Sequence, residues 1–463
     1  MKLAPLLSAN HVRAPYRRLT LLLLVAYLVY LPFSGYTAIY FDALNYWFIS
    51  IYFHKNGHLS LLNFHDGFRG YLLPLLLLPL RITQFYSGLP IILFARVFGA
   101  VLAAVGFGWL GPRLWQAVSH SGPLSWPRRL AFAVLGFVFW RDYFNFPLTD
   151  FPSLGALLLG LLLLYRRGAW WTAAAGACLA AACNIRPSYL IAVPFFVALA
   201  LVLPAPSQVK RLMRGLALLA GATLVLGPQL LINQRHFHQN SPLVLAQDEN
   251  LETNNLYREK LKWGLLHQKY ETSLGNDYPE RVMIFRDYAG EALVRQEQIG
   301  WFDSYSSYLQ LVLRHPTLFA RMYAWRLFNG LDIQYPTPYI KQVYVPTWGL
   351  AWLNYSVWFG AGLVLLRTQF RRLTLPQWLV LAVLLVPCIP MLPMSMECRF
   401  LLPLHLFLYA VLCFGWPAAW RPAAWPRQRL AGVGVAYVAF VLLCFWASAT
   451  AQATLELGPR ALW

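Results

Sequence analysis

Acidic residues are scarce in this chain. Only 18 of its 463 residues are Asp or Glu, against 38 Lys or Arg, and charged residues of both signs make up 12%, about half the share of a soluble domain. The six cysteines form no CxxC pair, so their spacing predicts neither a zinc site nor a disulfide framework. No internal repeat stands out, which disfavours a transporter built from repeated halves.

Hydrophobic residues, by contrast, make up 59% of the chain, which is typical of a polytopic membrane protein. The formal charge of +20 does not indicate nucleic-acid binding, because the basic residues form short clusters between apolar runs. Such clusters mark cytoplasmic loops. Arg13, Arg17 and Arg18 precede the first apolar run without a small-residue cleavage site, which predicts a retained signal anchor and a cytoplasmic N-terminus.

Eleven apolar runs are predicted to cross the membrane as helices. These runs cover residues 19–33, 91–110, 130–146, 151–165, 169–184, 189–203, 215–233, 347–366, 377–394, 400–416 and 430–449. The run 71–80 carries two prolines and is predicted to lie as a juxtamembrane helix at the outer surface, because every basic cluster is then cytoplasmic.

The expected fold class is therefore an all-α polytopic integral membrane protein with juxtamembrane outer helices. Three parts are expected: an N-terminal transmembrane catalytic module (1–233), an extracytoplasmic loop region with amphipathic helices (234–346), and the C-terminal transmembrane helices (347–463). Residues 281–297 have the mixed charge of an amphipathic helix.

The few acidic residues are predicted to lie on one side of the membrane. Six carboxylates lie outside the polar region 234–332, and the topology places all of them at outer helix ends: Asp42, Asp66, Asp142, Asp150, Glu397 and Glu456. Acidic residues contribute little to membrane orientation, so this bias indicates a function at the outer face. Helix capping is the alternative for Asp42, since Asp is a favoured N-cap residue.

Several segments follow one another in an order that resembles a known superfamily. Asp42 lies in a Tyr/Trp-rich first outer loop, followed by GFRGYLLPLLLLPL, by ARVFGAVLAAVG and by LTDFPSLGALLLG, which contains Asp150. CNIRPSYLIAVP and, near the C-terminus, MECRFLLPLHLFL complete the series. This order resembles the GT-C glycosyltransferases that use polyprenyl-phosphate sugars, of the family 39 and aminoarabinose-transferase type. One departure is that Ala43 follows Asp42, where the superfamily often has a second acid.

The resemblance implies attack by an acceptor hydroxyl on the anomeric carbon of a lipid-linked sugar, with inversion and departure of polyprenyl phosphate. Asp42 would be the general base, with its pKa raised by desolvation. Asp150 would orient the acceptor or share a divalent cation, Mg²⁺ or Mn²⁺, with Asp42. No metal ligand is assigned, and Asp150 has helix capping as its local alternative.

The resemblance also implies that arginines hold the leaving phosphate, in the order Arg186, Arg399 and Arg69. Simple snorkelling is the alternative for Arg186, and Arg399 could merely pair with Glu397. Five further residues of the outer face are predicted to contact substrate: Tyr40, Trp47, His65, Asp66 and Glu397.

The expected partners are a polyprenyl-phosphate-linked sugar, an acceptor that is a glycan, lipid or protein, and membrane lipids, but no nucleic acid. Abundant Ala, Leu, Trp and Arg and the absence of a retention signal favour a bacterial inner membrane, and the topology predicts an active site that faces the periplasm or exterior. Two other functions fit a chain of this kind: a transporter or flippase for a lipid-linked or small polar substrate, and an enzyme of the O-antigen ligase or polymerase type.

Overall fold

The computed structural model describes residues 14–120, 122–204, 207–368, 370–416 and 426–460. Within them the protein is 71% helical. Arg13, one of the three predicted N-terminal cytoplasmic arginines, lies outside the described residues.

Eighteen α-helices are present in the described ranges. They are α1 (Ala14–Tyr30), α2 (Phe41–Ile49), α3 (Leu72–Ser87), α4 (Ile91–Val105), α5 (Gly111–Ser119), α6 (Trp126–Trp140), α7 (Asp150–Leu164), α8 (Ala169–Ile185), α9 (Val193–Val202), α10 (Gln208–Phe237), α11 (Leu256–Leu266), α12 (Tyr288–Gln296), α13 (Tyr305–Arg314), α14 (Pro316–Leu331), α15 (Trp348–Arg367), α16 (Leu375–Leu385), α17 (Leu402–Gly415) and α18 (Arg427–Gln452).

The expected all-α fold is correct in that helices predominate, but the described chain also contains short strands. The strands are β1 (His54–Lys55), β2 (His58–Leu59), β3 (His267–Ser273), β4 (Val282–Arg286) and β5 (Tyr339–Ile340). β1 and β2 form a small antiparallel hairpin. In the second sheet β3 lies between antiparallel β4 and parallel β5.

Six helical segments of the described chain are long and apolar enough to cross a membrane. They are Tyr16–Ser34, Ile91–Ser119, Gln208–Phe237, Trp348–Arg367, Cys398–Gly415 and Arg427–Gln452. Each overlaps one of the eleven predicted spans. The other five predicted spans also form helices, but α6 to α9 and α16 are shorter, between 10 and 17 residues.

Local signals explain several of these helix boundaries. Ser207 accepts a hydrogen bond from the Lys210 amide at the start of α10, and Thr374 forms a capping box with Gln377 at the start of α16. Gly88, with φ of +66°, ends α3 in the left-handed conformation that glycine adopts most readily.

Two local predictions need correction. Residues 281–297 are not one amphipathic helix: β4 occupies the first half, and α12 begins only after Asp287, whose carboxylate accepts the Gly290 amide hydrogen bond. The outer helix predicted over 71–80 is longer, because α3 continues through Pro79 to Ser87.

The helix bundle has two chemically different ends. At one, which we call the acidic end, Tyr30 at the close of α1 donates a 2.9 Å hydrogen bond to Asp142, just beyond α6. At the other, the basic end, the guanidinium of Arg129 in α6 lies 4.7 Å from the ring centre of Tyr16 in α1. α1 and α6 therefore run parallel, and the candidate site lies at the acidic end.

Candidate functional site

A cleft of about 780 Å³ opens at the acidic end of the bundle. Its walls come from the start of α2, the segment before α3, the start of α7, the segment after α8, α11 and the segment before α17. The charged residues that line it are Asp42, Arg69, Asp150, Arg186, Lys260 and Arg399. Both predicted catalytic aspartates and all three predicted phosphate-binding arginines therefore share one cavity.

Asp42 lies in the first turn of α2 but does not cap it. The N-cap residue is Tyr40, and no side chain caps this helix end. The Asp42 carboxylate instead pairs with Arg69, with Oδ1 2.9 Å from Nη2, and its Oδ2 lies 3.9 Å from Nη2 of Arg399. Its side chain remains 41% exposed, so a ligand in the cleft can reach it.

The pKa of Asp42 departs from expectation. Removal from water acts to raise it, but the charges of Arg69, Arg399 and Lys260 outweigh that effect and hold the pKa below its usual value. The predicted upward shift of the Asp42 pKa is therefore wrong, because folding brings three cations close enough to outweigh desolvation. The carboxylate is consequently ionised at neutral pH.

Asp150 is the first residue of α7, and its side chain is only 1% exposed. It does not cap the helix; it forms an ion pair with Arg186, and its Oδ2 lies 3.7 Å from Nη1 of Arg399. Arg186 is thus held by a buried carboxylate and does not simply snorkel towards the membrane surface.

Arg399 connects the acids of the cleft. It pairs with Glu397, to which its Nη2 donates a 3.0 Å hydrogen bond, and it also lies within 4 Å of both Asp42 and Asp150. The local pairing of Arg399 with Glu397 is therefore real but is only part of its role. One guanidinium faces three carboxylates.

Lys260 on α11 is the cleft cation that sequence reasoning missed. Its ammonium lies 5.2 Å from the ring centre of Phe400, and no hydrogen bond or salt bridge joins it to the described residues. Burial lowers its pKa to about 8, although Glu397 and Asp42 act in the opposite direction. Its position within a mixed-charge segment gave no signal that would set it apart from surface lysines.

The five predicted substrate-contact residues do not line the cleft. Tyr40 packs against Phe146 and Tyr339, and Trp47 is fully buried in the hydrophobic core. His65 is exposed and stacks on Tyr52.

Asp66 and Glu397 act on the cleft indirectly. Asp66 accepts hydrogen bonds from the backbone amides of Phe68 and Arg69, at 2.8 and 2.7 Å. These bonds fix the turn from which the Arg69 side chain reaches Asp42. Glu397 faces a neighbouring pocket and holds Arg399.

The aspartates do not fit a shared divalent cation. Within the described chain, no group of three or more His, Cys, Asp or Glu side chains is placed to hold a metal. The carboxylates of Asp42 and Asp150 face guanidinium groups, and the Arg399 guanidinium lies within 4 Å of both.

No family model, curated protein or solved structure matches this chain.

Two further cavities are lined by residues at the start of α17. A small cavity of about 230 Å³ next to the cleft is lined by Asp150, Arg186 and Arg399 at one side and by Leu402 and Pro403 at the other. Pro403 also lines a larger apolar cavity of about 690 Å³ between α5, α7, α16 and α17. The charged lining of the small cavity and the lining of the apolar cavity therefore meet at Pro403, at the start of α17.

Proposed function

We propose that this chain is a membrane glycosyltransferase of GT-C type that transfers a sugar from a polyprenyl-phosphate donor to an acceptor hydroxyl. The observation that supports this function is the single cleft in which two aspartates, three arginines and a lysine converge beside an apolar cavity. A lipid phosphate-linked sugar has the matching parts: an anionic phosphate, a polar sugar and an apolar chain.

The reaction is a single displacement. The acceptor oxygen forms a bond to the anomeric carbon, the bond from that carbon to the phosphate oxygen breaks, and the hydroxyl proton passes to a carboxylate. Attack from the face opposite the phosphate inverts the anomeric centre. Polyprenyl phosphate leaves with the electron pair of the broken bond and needs cationic donors around it.

Exposure separates the roles of the two aspartates. Asp42 is 41% exposed to the cleft, so an acceptor hydroxyl can approach it, and it is the proposed general base. Asp150, at 1% exposure and paired with Arg186, is inaccessible to an acceptor. It is proposed to position Arg186 and Arg399 for the leaving phosphate.

The cationic side of the cleft would bind the donor phosphate. Arg69, Arg186 and Arg399 are each paired with a carboxylate, whereas Lys260 pairs with no carboxylate of the described chain. Lys260 is therefore the cleft cation that could pair with an incoming phosphate without giving up a carboxylate partner. The isoprenoid would follow the apolar lining around Pro403.

We further propose that the cleft faces the periplasm of a bacterial inner membrane and that the N-terminus is cytoplasmic. The clusters of basic residues between apolar runs support this orientation. In this arrangement the five shorter apolar helices complete eleven spans, and α3 lies at the outer surface.

The decisive experiment measures sugar transfer by the purified protein from a synthetic polyprenyl-phosphate sugar. Asp42→Asn is expected to lower kcat by about a hundred-fold or more, the range for loss of a general base, while donor binding is retained. Asp142→Asn is the matched control, because it makes the same change at the same end of the bundle but outside the cleft. Equal transfer by Asp42→Asn and the control would remove Asp42 as the base.

A further inference from the structure

The basic end of the bundle contains a buried arginine without a counter-charge among the described residues. Arg129 is 4% exposed, and its guanidinium stacks on the rings of Tyr16 and Trp126, 4.7 and 5.4 Å from their centres. Its Nε and Nη1 have no hydrogen-bond partner in the part of the chain that the structure describes. A buried charge is costly unless it is paired and hydrogen-bonded, so the described protein leaves this cation uncompensated.

The neighbouring Arg128, unlike Arg129, has hydrogen-bond partners for its guanidinium group among the described residues. Its Nη1 donates a 3.1 Å hydrogen bond to the carbonyl oxygen of Phe414, and its Nη2 donates one of 2.6 Å to that of Trp416. Such carbonyl bonds satisfy the guanidinium at the end of a helix. Arg129, one residue further along α6, makes no equivalent contact with the described segments.

The chain cannot supply the missing anion from its own side chains. No Asp or Glu occurs in residues 1–41, 67–141, 151–247, 333–396 or 398–455. These stretches contain every cluster of basic residues between the apolar runs, and all 18 carboxylates lie outside them.

The start of α6 adds a second attraction for an anion. Ser125 is its N-cap residue but makes no side-chain capping hydrogen bond. Among the described residues, no side chain caps the first turn of this 15-residue helix, which also carries the positive end of the helix dipole. Arg113 adds a further positive charge, 4.3 Å from the centre of the same Tyr16 ring.

We propose that the phosphate of an anionic phospholipid binds at the basic end, between Arg129, Arg113 and the start of α6. A lipid is the source because the site lies where spanning helices meet the headgroup layer. Leu21 and Leu22 on α1 are 61% and 53% exposed, which is typical of a lipid-facing surface, and Trp126 is 40% exposed beside the site. This site is separate from the cleft and does not depend on the proposed activity.

The test compares lipid binding by full-length variants in nanodiscs. Phosphatidylglycerol is titrated into phosphatidylcholine nanodiscs, and bound lipid is counted by native mass spectrometry, with the thermal midpoint as a second measurement. Arg129→Gln is expected to weaken phosphatidylglycerol binding about ten-fold, the loss of one charge-assisted contact. Arg17→Gln is the matched control, because Arg17 is an exposed arginine of the same region.

Two further measurements keep the result interpretable. If Arg129→Gln does not fold, Arg129→Lys is compared with Arg17→Lys; weaker binding only in the former supports the site, because lysine lacks the planar fork. Inorganic phosphate is expected to give no thermal shift at the concentration at which phosphatidylglycerol does. Equal binding by the Arg129 and Arg17 variants, or equal protection by inorganic phosphate, overturns the proposal.

Discussion

Arg399 determines how charge is distributed among the residues of the cleft. It lies within 4 Å of Glu397, Asp42 and Asp150, so the acids that would otherwise repel one another share one cation. Arg69 gives Asp42 a second cation, and Arg186 does the same for Asp150. Among the described cleft cations, Lys260 alone has no such partner, which makes its charge state the most responsive to a ligand.

The lowered pKa of Lys260 gives a prediction about pH. Below about pH 8 the free protein carries the ammonium, and above that value the amine is neutral. Affinity for a polyprenyl-phosphate donor, and kcat/KM with it, should therefore fall as pH rises through about 8. Donor binding measured from pH 6.5 to 9.5 checks this dependence.

Substitutions at this position separate charge from other effects of pH. Lys260→Arg keeps its charge throughout the range and should show no step near pH 8, because the pKa of arginine is far higher. Lys260→Met should bind the donor about ten-fold more weakly at pH 7, without the step. A step that persists in both variants would assign the titration to another group.

Among single residues, the sequence predicted the members of the site whose charge is unusual for their surroundings. Asp42, Asp150, Arg186 and Arg399 stand out because each lies next to a long apolar run. Lys260 lies between Glu259 and Lys262 in a polar segment, where a single charge is usually just solvated. The direction of the Asp42 pKa depended on cations brought together only by folding.

The contact between α8 and α10 depends on two glycines. A Cβ built on Gly176 would lie 2.0 Å from the carbonyl oxygen of Leu218, and one built on Gly221 would lie 1.7 Å from that of Ala173. Only hydrogen fits at these positions, so the two backbones pack closely, as small residues allow in membrane helices. α8 ends at Ile185, directly before Arg186, so this contact supports one wall of the cleft.

Gly221→Ala should therefore destabilise the protein. The added methyl group meets backbone atoms that cannot move aside, and overpacking of this kind costs about 1–3 kcal/mol. Gly215→Ala on the same helix is the matched control, since outside its own stretch of helix the nearest described atom to the added methyl group would be Cδ2 of Leu201 at 3.8 Å, an ordinary van der Waals distance, and alanine favours helix formation. Thermal midpoints in one detergent compare the two; an equal or higher midpoint for Gly221→Ala contradicts the close contact.

Where an apolar run is long, its length alone predicts correctly that the segment is a helix. The run in α10 predicts a helix well because few other structures satisfy its backbone in lipid. The segment Val-Met-Ile-Phe of β4 fits a strand or one turn of helix equally well. Its pairing with β3, and the pairing of β3 with β5 from far along the chain, are non-local and left no local signal.

At the scale of the whole molecule, the proposed orientation places the acidic end at the periplasmic face of the membrane. Since basic clusters favour the cytoplasm, a cysteine at His65 should react with a membrane-impermeant maleimide added to intact cells, and one at Arg166 should react only after permeabilisation. Both reporters are read against the unsubstituted protein, whose Cys183, Cys388, Cys413 and Cys444 are buried. The reverse labelling pattern would place the cleft on the cytoplasmic side.

The sequence predicted the general architecture but not the lengths of its parts. Eleven apolar runs became helices, yet only six of them in the described chain are long enough to span by themselves. Prolines account for part of the difference: Pro187 begins a 3-10 turn before α9, and Pro387 and Pro390 lie in another after α16. Both turns lie close to the cleft, where Arg186 and Arg399 emerge.

The guanidinium shared by three acids also implies an order of events. An incoming phosphate that takes hydrogen bonds from Arg399 removes part of the positive field that keeps Asp42 a weak base. Under the proposed function, the affinity of Asp42 for a proton would then increase only after the donor has bound. An acceptor that entered first would meet a carboxylate not yet able to take its proton, so binding of the lipid-linked sugar would activate the cleft.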